Sequence, residues 1–112
     1  MIIDKVNALH YLWGNNCDSW VFNDTPNLSV KLESMPPGTK EMLHYHEKAQ
    51  QFFFILKGSA TFYLTNQKYS LTAQQGISVK PGQQHFIANE TGEVLEFLVI
   101  SQPSTNNDRI TV

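Results

Sequence analysis

Cysteine is nearly absent. Cys17 is the only one, so neither an internal disulfide framework nor a thiolate zinc cluster can form. Charge of one sign is lacking as well: eight Lys and Arg against ten Asp and Glu give a formal net charge of −2, with the cations scattered. That leaves no electrostatic footprint for nucleic acid or an acidic membrane surface. No apolar run approaches the roughly 18 residues of a membrane span. The opening Met1-Ile2-Ile3-Asp4-Lys5 meets charge too early for a signal peptide, and a cytoplasmic protein is the expectation. Helical periodicity is missing too.

What remains is the composition of one folded domain over residues 1–112, with 41% hydrophobic and 16% charged residues. Apolar residues come at spacings of two or in short solid runs, and turn residues recur about every eight to twelve positions, the rhythm of a sandwich or barrel of short strands. The segment 28–33 (LSVKLE) alternates as a strand with one buried face, and Pro36-Pro37-Gly38 ends it. Further strands are expected at 42–46, 51–56, 60–65, 68–71, 76–80, 85–89 and 94–101, a barrel core of about 28–102. The first 25 residues, with Trp13 and Trp20, are expected to add strands lying over the barrel. The polar tail from Ser104 to Val112 is expected on the surface.

Three of the four histidines stand at two strand ends beside Pro/Gly turns. His44 and His46, two apart on a strand, point to one face, and the apolar Met42 of the same parity suggests that this face is interior. His85 opens its own strand three residues after Gly82. A barrel that brings the two strands together would set three neutral nitrogen donors around one point, a set suited to zinc, iron, manganese or nickel. A lone His-x-His is more often an exposed or hydrogen-bonded pair, so the histidines alone leave both readings open.

The spacing from Gly38 to Asn89 resembles the two signature motifs of the cupin superfamily. Gly38, five residues, His44-Tyr45-His46, four residues, Gln51, six residues and Gly58 fit the first, with glutamine where the family usually has an acidic ligand. Pro81-Gly82, two residues, His85, three residues and Asn89 fit the second half of the other. Lys80 replaces its first proline, and Gly76 stands two places later than its leading glycine. The stretch QFFFILKGSATF, the later FLVIS-x-P and Asp108-Arg109 also resemble small single-domain cupins of unassigned function. The resemblance implies an all-β double-stranded β-helix (jelly-roll) barrel with extra N-terminal strands. It implies a divalent metal (Fe, Mn, Zn or Ni) held by His44, His46, Gln51 and His85. Phe52, Phe54 and Leu56 would point outward, a stripe that suits a homodimer unless the N-terminal strands cover it.

Glutamine contributes a dipole where glutamate contributes a charge, so metal affinity should fall and the metal should act as a stronger Lewis acid toward an anion. Glu41 and Glu47 are poor substitutes, having the opposite parity to His44 and His46. The first functional expectation is a metal-binding cupin acting on or binding a small oxygenated, anionic molecule, by dioxygen chemistry or isomerisation if it is an enzyme. The second is a non-catalytic module for a small ligand or sugar, with Tyr11, Trp13 and Trp20 as a stacking platform. The third is a metal-free sugar-nucleotide ketoisomerase. Enzymes of that type have an Arg-Gly pair before the first histidine, where this chain has Met42-Leu43.

Overall fold

A computed structural model describes all 112 residues and contains strands but no helix. In chain order these are β1 Leu9–Trp13, β2 Cys17–Thr25, β3 Leu28–Met35, β4 His44–Tyr45, β5 Gln50–Lys57, β6 Ala60–Leu64, β7 Gln67–Leu71, β8 Gly76–Val79, β9 His85–Ala88, β10 Leu95–Gln102 and β11 Ile110–Thr111. They form two antiparallel sheets, a six-stranded one ordered β1-β2-β3-β10-β5-β8 and a five-stranded one ordered β11-β4-β9-β6-β7. The chain shuttles between the sheets, and β10 inserts between β3 and β5. This is the jelly-roll, double-stranded β-helix arrangement that the motif spacing implies.

The inward faces meet in an apolar core. Phe53, Phe62 and Phe97 are buried with Met35, Ile55, Ile87 and Leu95. Phe53 meets Phe62 edge to face with ring centroids 4.9 Å apart. Each such side chain contributes about 1.5–3 kcal/mol through burial. β5 divides as its alternation predicts: Gln51, Phe53 and Ile55 are buried, while Phe52 is exposed and Phe54 and Leu56 are half-buried. The Phe52 ring lies over Gly76, where an added Cβ would collide with it.

β3 behaves differently. Its alternation invites the apolar parity as the inward one, yet Ser29 and Glu33 are buried on the barrel side, with Lys31 between them. The ladder puts Ser29 across from Ser101, which faces Gln51, and puts Lys31 across from Val99, which faces Phe53. Val30 and Leu32 therefore belong to the outer face. A barrel with a polar upper interior inverts the usual reading of a half-polar strand.

The N-terminal strands do not lie over the barrel; they extend the larger sheet beyond β3. The tail is not merely superficial either. β11 pairs with β4, setting Ile110 across from Tyr45 and Thr111 across from His44.

Two motif residues have structural work. Gly58 has φ +82°, and a Cβ there would run into the Val94 carbonyl and Leu95. Asn89 is buried and uses its whole amide. Its Nδ2 donates to the carbonyls of Met35 (2.9 Å) and Glu93 (2.7 Å). Its Oδ1 accepts from Thr91 N (3.1 Å) and Thr91 Oγ1 (2.8 Å). Replacing Asn89 with alanine leaves buried carbonyls unpaired, so urea denaturation of Asn89→Ala should show a loss of about 2–4 kcal/mol. A loss below about 0.5 kcal/mol would mean that water replaces the amide.

Candidate metal centre

The short strands β4 and β9 run antiparallel with His44 directly opposite His85. His46 follows β4 at the turn, tied to the second motif by Gly82 N donating to the His46 carbonyl at 2.7 Å. All three imidazoles are buried, and one ring nitrogen of each lies within 4.8 Å of the others. Below them His85 stacks on Phe62, centroids 5.9 Å apart and planes 7° from parallel. The core's aromatic layer is thus the floor of the centre.

Backbone carbonyls fix the tautomers. Each imidazole donates through Nδ1: His44 to Met42 O (2.7 Å), His46 to Asp108 O (2.6 Å) and His85 to Gln83 O (2.9 Å). Every Nε2 is then left as a lone pair turned toward the common point. His46 Nε2 is buried with no hydrogen-bond partner at all. Burial holds the imidazoles neutral, taking His44 down to about 3 and His85 to about 4 and lowering His46 as well. At neutral pH no proton has to leave before they accept a metal.

Gln51 completes the group. Its Oε1 is 3.0 Å from His85 Nε2, and its Nε2 donates to Ser101 Oγ at 3.0 Å. With His85 Nδ1 already donating, this orientation sets an oxygen lone pair against a nitrogen lone pair. A cation shared by the two atoms relieves the conflict. Without one, turning the amide over lets it donate to His85 and accept from Ser101. The buried donor set and the orphaned His46 nitrogen therefore fit a divalent transition ion, with Gln51 as an amide-oxygen donor.

A cavity of about 400 Å³ opens above the centre, lined by His44, His46 and Gln51 but not by the deeper His85. Met42 is 68% exposed and stands at the cavity's rim. It belongs to no strand, so it is not the interior residue its parity suggests. Glu41 belongs to no strand either, and parity fails there too. It lines the cavity, accepts from Ile87 N at 3.1 Å and faces Arg109 at 3.8 Å, though it is not in the histidine cluster. Glu47 is exposed, as its parity implies. Of the expected platform, Tyr11 and Trp13 reach the cavity. Trp20 is on the outer face, between His10 and Lys5.

The tail supplies what the sequence reading missed. Asp108 accepts backbone N–H bonds from Glu47 (2.8 Å), Lys48 (3.0 Å) and Ala49 (3.0 Å), while its carbonyl orients His46. Partial desolvation pushes its carboxyl up, but those donors outweigh it and hold the group below the usual range. Arg109, one residue on, lines the cavity.

The two-sheet barrel with its buried histidine cluster has relatives among known proteins. The cupin domain family matches residues 31–101, and the chain belongs to that family. An uncharacterized protein of Aquifex aeolicus is 35% identical over 82 residues, which cover 73% of this chain. The chain spans 65% of that relative's own length. A conserved Klebsiella pneumoniae protein with a double-stranded β-helix domain superposes with a TM-score of 0.74 at 25% identity, covering 83% of this chain and 84% of that one. A predicted oxalate decarboxylase of Thermotoga maritima reaches a TM-score of 0.85 over 93% of this chain and 100% of its own. At 19% identity that likeness concerns the fold alone.

Asp108→Ala should speed amide hydrogen exchange at residues 47–49 by about tenfold or more, since three N–H groups lose their acceptor. Unchanged protection there would mean that β11 pairing alone holds the loop.

Proposed function

We propose that this cupin binds a divalent transition metal (Fe, Mn, Zn or Ni) through His44, His46, Gln51 and His85, and with it holds a small oxygenated anion. The observation that carries this reading is the convergence of three fixed Nε2 lone pairs, one of them buried without a partner. Three imidazoles and an amide bring no negative charge, so a bound ion would present its whole +2 to a carboxylate, enolate or hydroxy-ketone. The wall supports an anion too, with Lys31, Lys40 and Arg109 facing the cavity against Glu33 and Glu41. The same geometry serves a non-catalytic binding module, and turnover of a metal-bound oxygenated acid is what separates the two. For the metal-free ketoisomerase reading, metal content is the test.

Protein purified without a nickel column should carry a transition ion by mass spectrometry, and His44→Ala with His46→Ala should abolish it. Equal metal content in the double variant would end this reading. Gln51→Glu should tighten metal binding by about tenfold or more, by adding a charge beside the ion. Identical affinities for Gln, Glu and Ala at position 51 would make the residue a wall of the pocket.

We also propose a homodimer through the outer face of the larger sheet. Two cross-strand rows, Val30–Ile100–Phe52 and Leu32–Leu98–Phe54, carry six apolar side chains there. The N-terminal segment reaches this face where Lys5 sits over Trp20 and donates to Glu96 at 2.9 Å; of the six side chains Leu32 is buried within the chain, Phe52 is exposed and the other four are half-buried. A two-fold contact would cover what both copies of the rows leave exposed. Sedimentation should give a dimer for the wild type and a monomer for Phe54→Glu; a wild type that stays monomeric at high concentration would overturn the proposal.

A further inference from the structure

The cavity extends past the imidazoles to a second polar station under β1 and β2. Glu33 is 92% buried on the inward face of β3, being 8% exposed, and lines the cavity. It stands two inward-facing rungs from the Ser29–Ser101–Gln51 row. No Lys or Arg nitrogen forms an ion pair with it. The two cations whose charge acts on it have other partners: Lys31 Nζ donates to Tyr11 OH at 3.0 Å, and Arg109 faces Glu41. Ser19, directly across the ladder, favours the charged carboxylate without forming a hydrogen bond of good geometry.

Two polar groups near it lack a partner. Ser19 Oγ and Trp13 Nε1 are both buried with no hydrogen-bond partner. Trp13 and Ser19 come from β1 and β2, on the ladder that places Tyr11 across from Ser19 and Ser19 across from Glu33. Buried polar groups are ordinarily paired, and an unpaired carboxyl costs the fold most of all. Glu33 and Trp13 both line the cavity, and a carboxyl without an ion pair beside an indole N–H without a partner describes a place made for a ligand's polar groups.

We propose that Glu33, with the Trp13 indole N–H, is a second subsite that holds the hydroxyl groups of a polyhydroxylated acid. The acid's carboxylate end lies at the imidazole centre, so the inference rests on the metal-anchored anion reading above. The complement is chemical. A carboxyl accepts from ligand O–H groups, and the indole N–H donates to a ligand oxygen. Trp13, Tyr11 and Phe53 on the cavity wall offer apolar faces to the C–H side of such a chain. Burial lifts the Glu33 carboxyl to about 7, so near neutral pH it serves as acceptor or donor.

Two six-carbon acids test this on the manganese-loaded protein. Gluconate and 2-hydroxyhexanoate share the carboxylate and the 2-hydroxyl and differ in the hydroxyls further along. Calorimetry should find gluconate bound about tenfold or more tightly, the discrimination of a site whose polar groups need partners. Glu33→Met should abolish that preference and leave 2-hydroxyhexanoate within about twofold of its wild-type affinity. Without any ligand, Glu33→Met should also raise the melting temperature, because an apolar side chain replaces an unpaired buried carboxyl. A lower melting temperature would make Glu33 a structural residue and overturn the subsite. So would equal affinities for the two acids, or a preference that survives in the variant. If neither acid binds, the anchored-anion reading itself fails, and the subsite falls with it.

Discussion

Everything distinctive about this barrel follows from where three imidazole protons go. His44, His46 and His85 each give Nδ1–H to a backbone carbonyl, from Met42, Asp108 and Gln83. Those carbonyls belong to the loop before β4, the C-terminal tail and the turn before β9. The scaffold thus chooses the tautomer, and the tautomer aims the lone pairs. An imidazole free to rotate, or protonated at Nε2, could not serve the same centre. Burial against the aromatic layer completes the arrangement by keeping all three rings neutral.

The fold was readable because its strands are short and bounded by Pro and Gly. The spacing of Gly38, His44, His46, Gln51 and Gly58 was as informative as any residue's chemistry. Asn89 gains its reason only in three dimensions, as a four-bond clamp between β3 and the loop after β9. Sequence patterning failed where a residue's environment was unusual. Ser29, Lys31 and Glu33 look like a solvent face and instead line the cavity, because the barrel's upper interior is polar. Period-two parity also misled at Glu41 and Met42, since the chain before His44 is not a strand.

The tail was the largest omission. Nothing in Ser104 to Val112 is strongly apolar or periodic, so no local signal ties it to the barrel. Its attachment is made by one carboxylate on three N–H groups, one carbonyl on an imidazole and a two-residue strand. Contacts of that kind depend on distant partners and leave no pattern in the segment that makes them.

The order of the larger sheet has a consequence for how the chain matures during synthesis. β10 is the bridge between β3 and β5, yet it is translated after both. Until residues 95–102 emerge, the two halves of that sheet have no common edge, and their apolar faces wait without a partner. His44, His46 and His85 are all translated before Asp108, the residue whose carbonyl turns His46 inward. A nascent chain therefore carries its histidines as loose, separate side chains and acquires a finished pocket only when its tail docks.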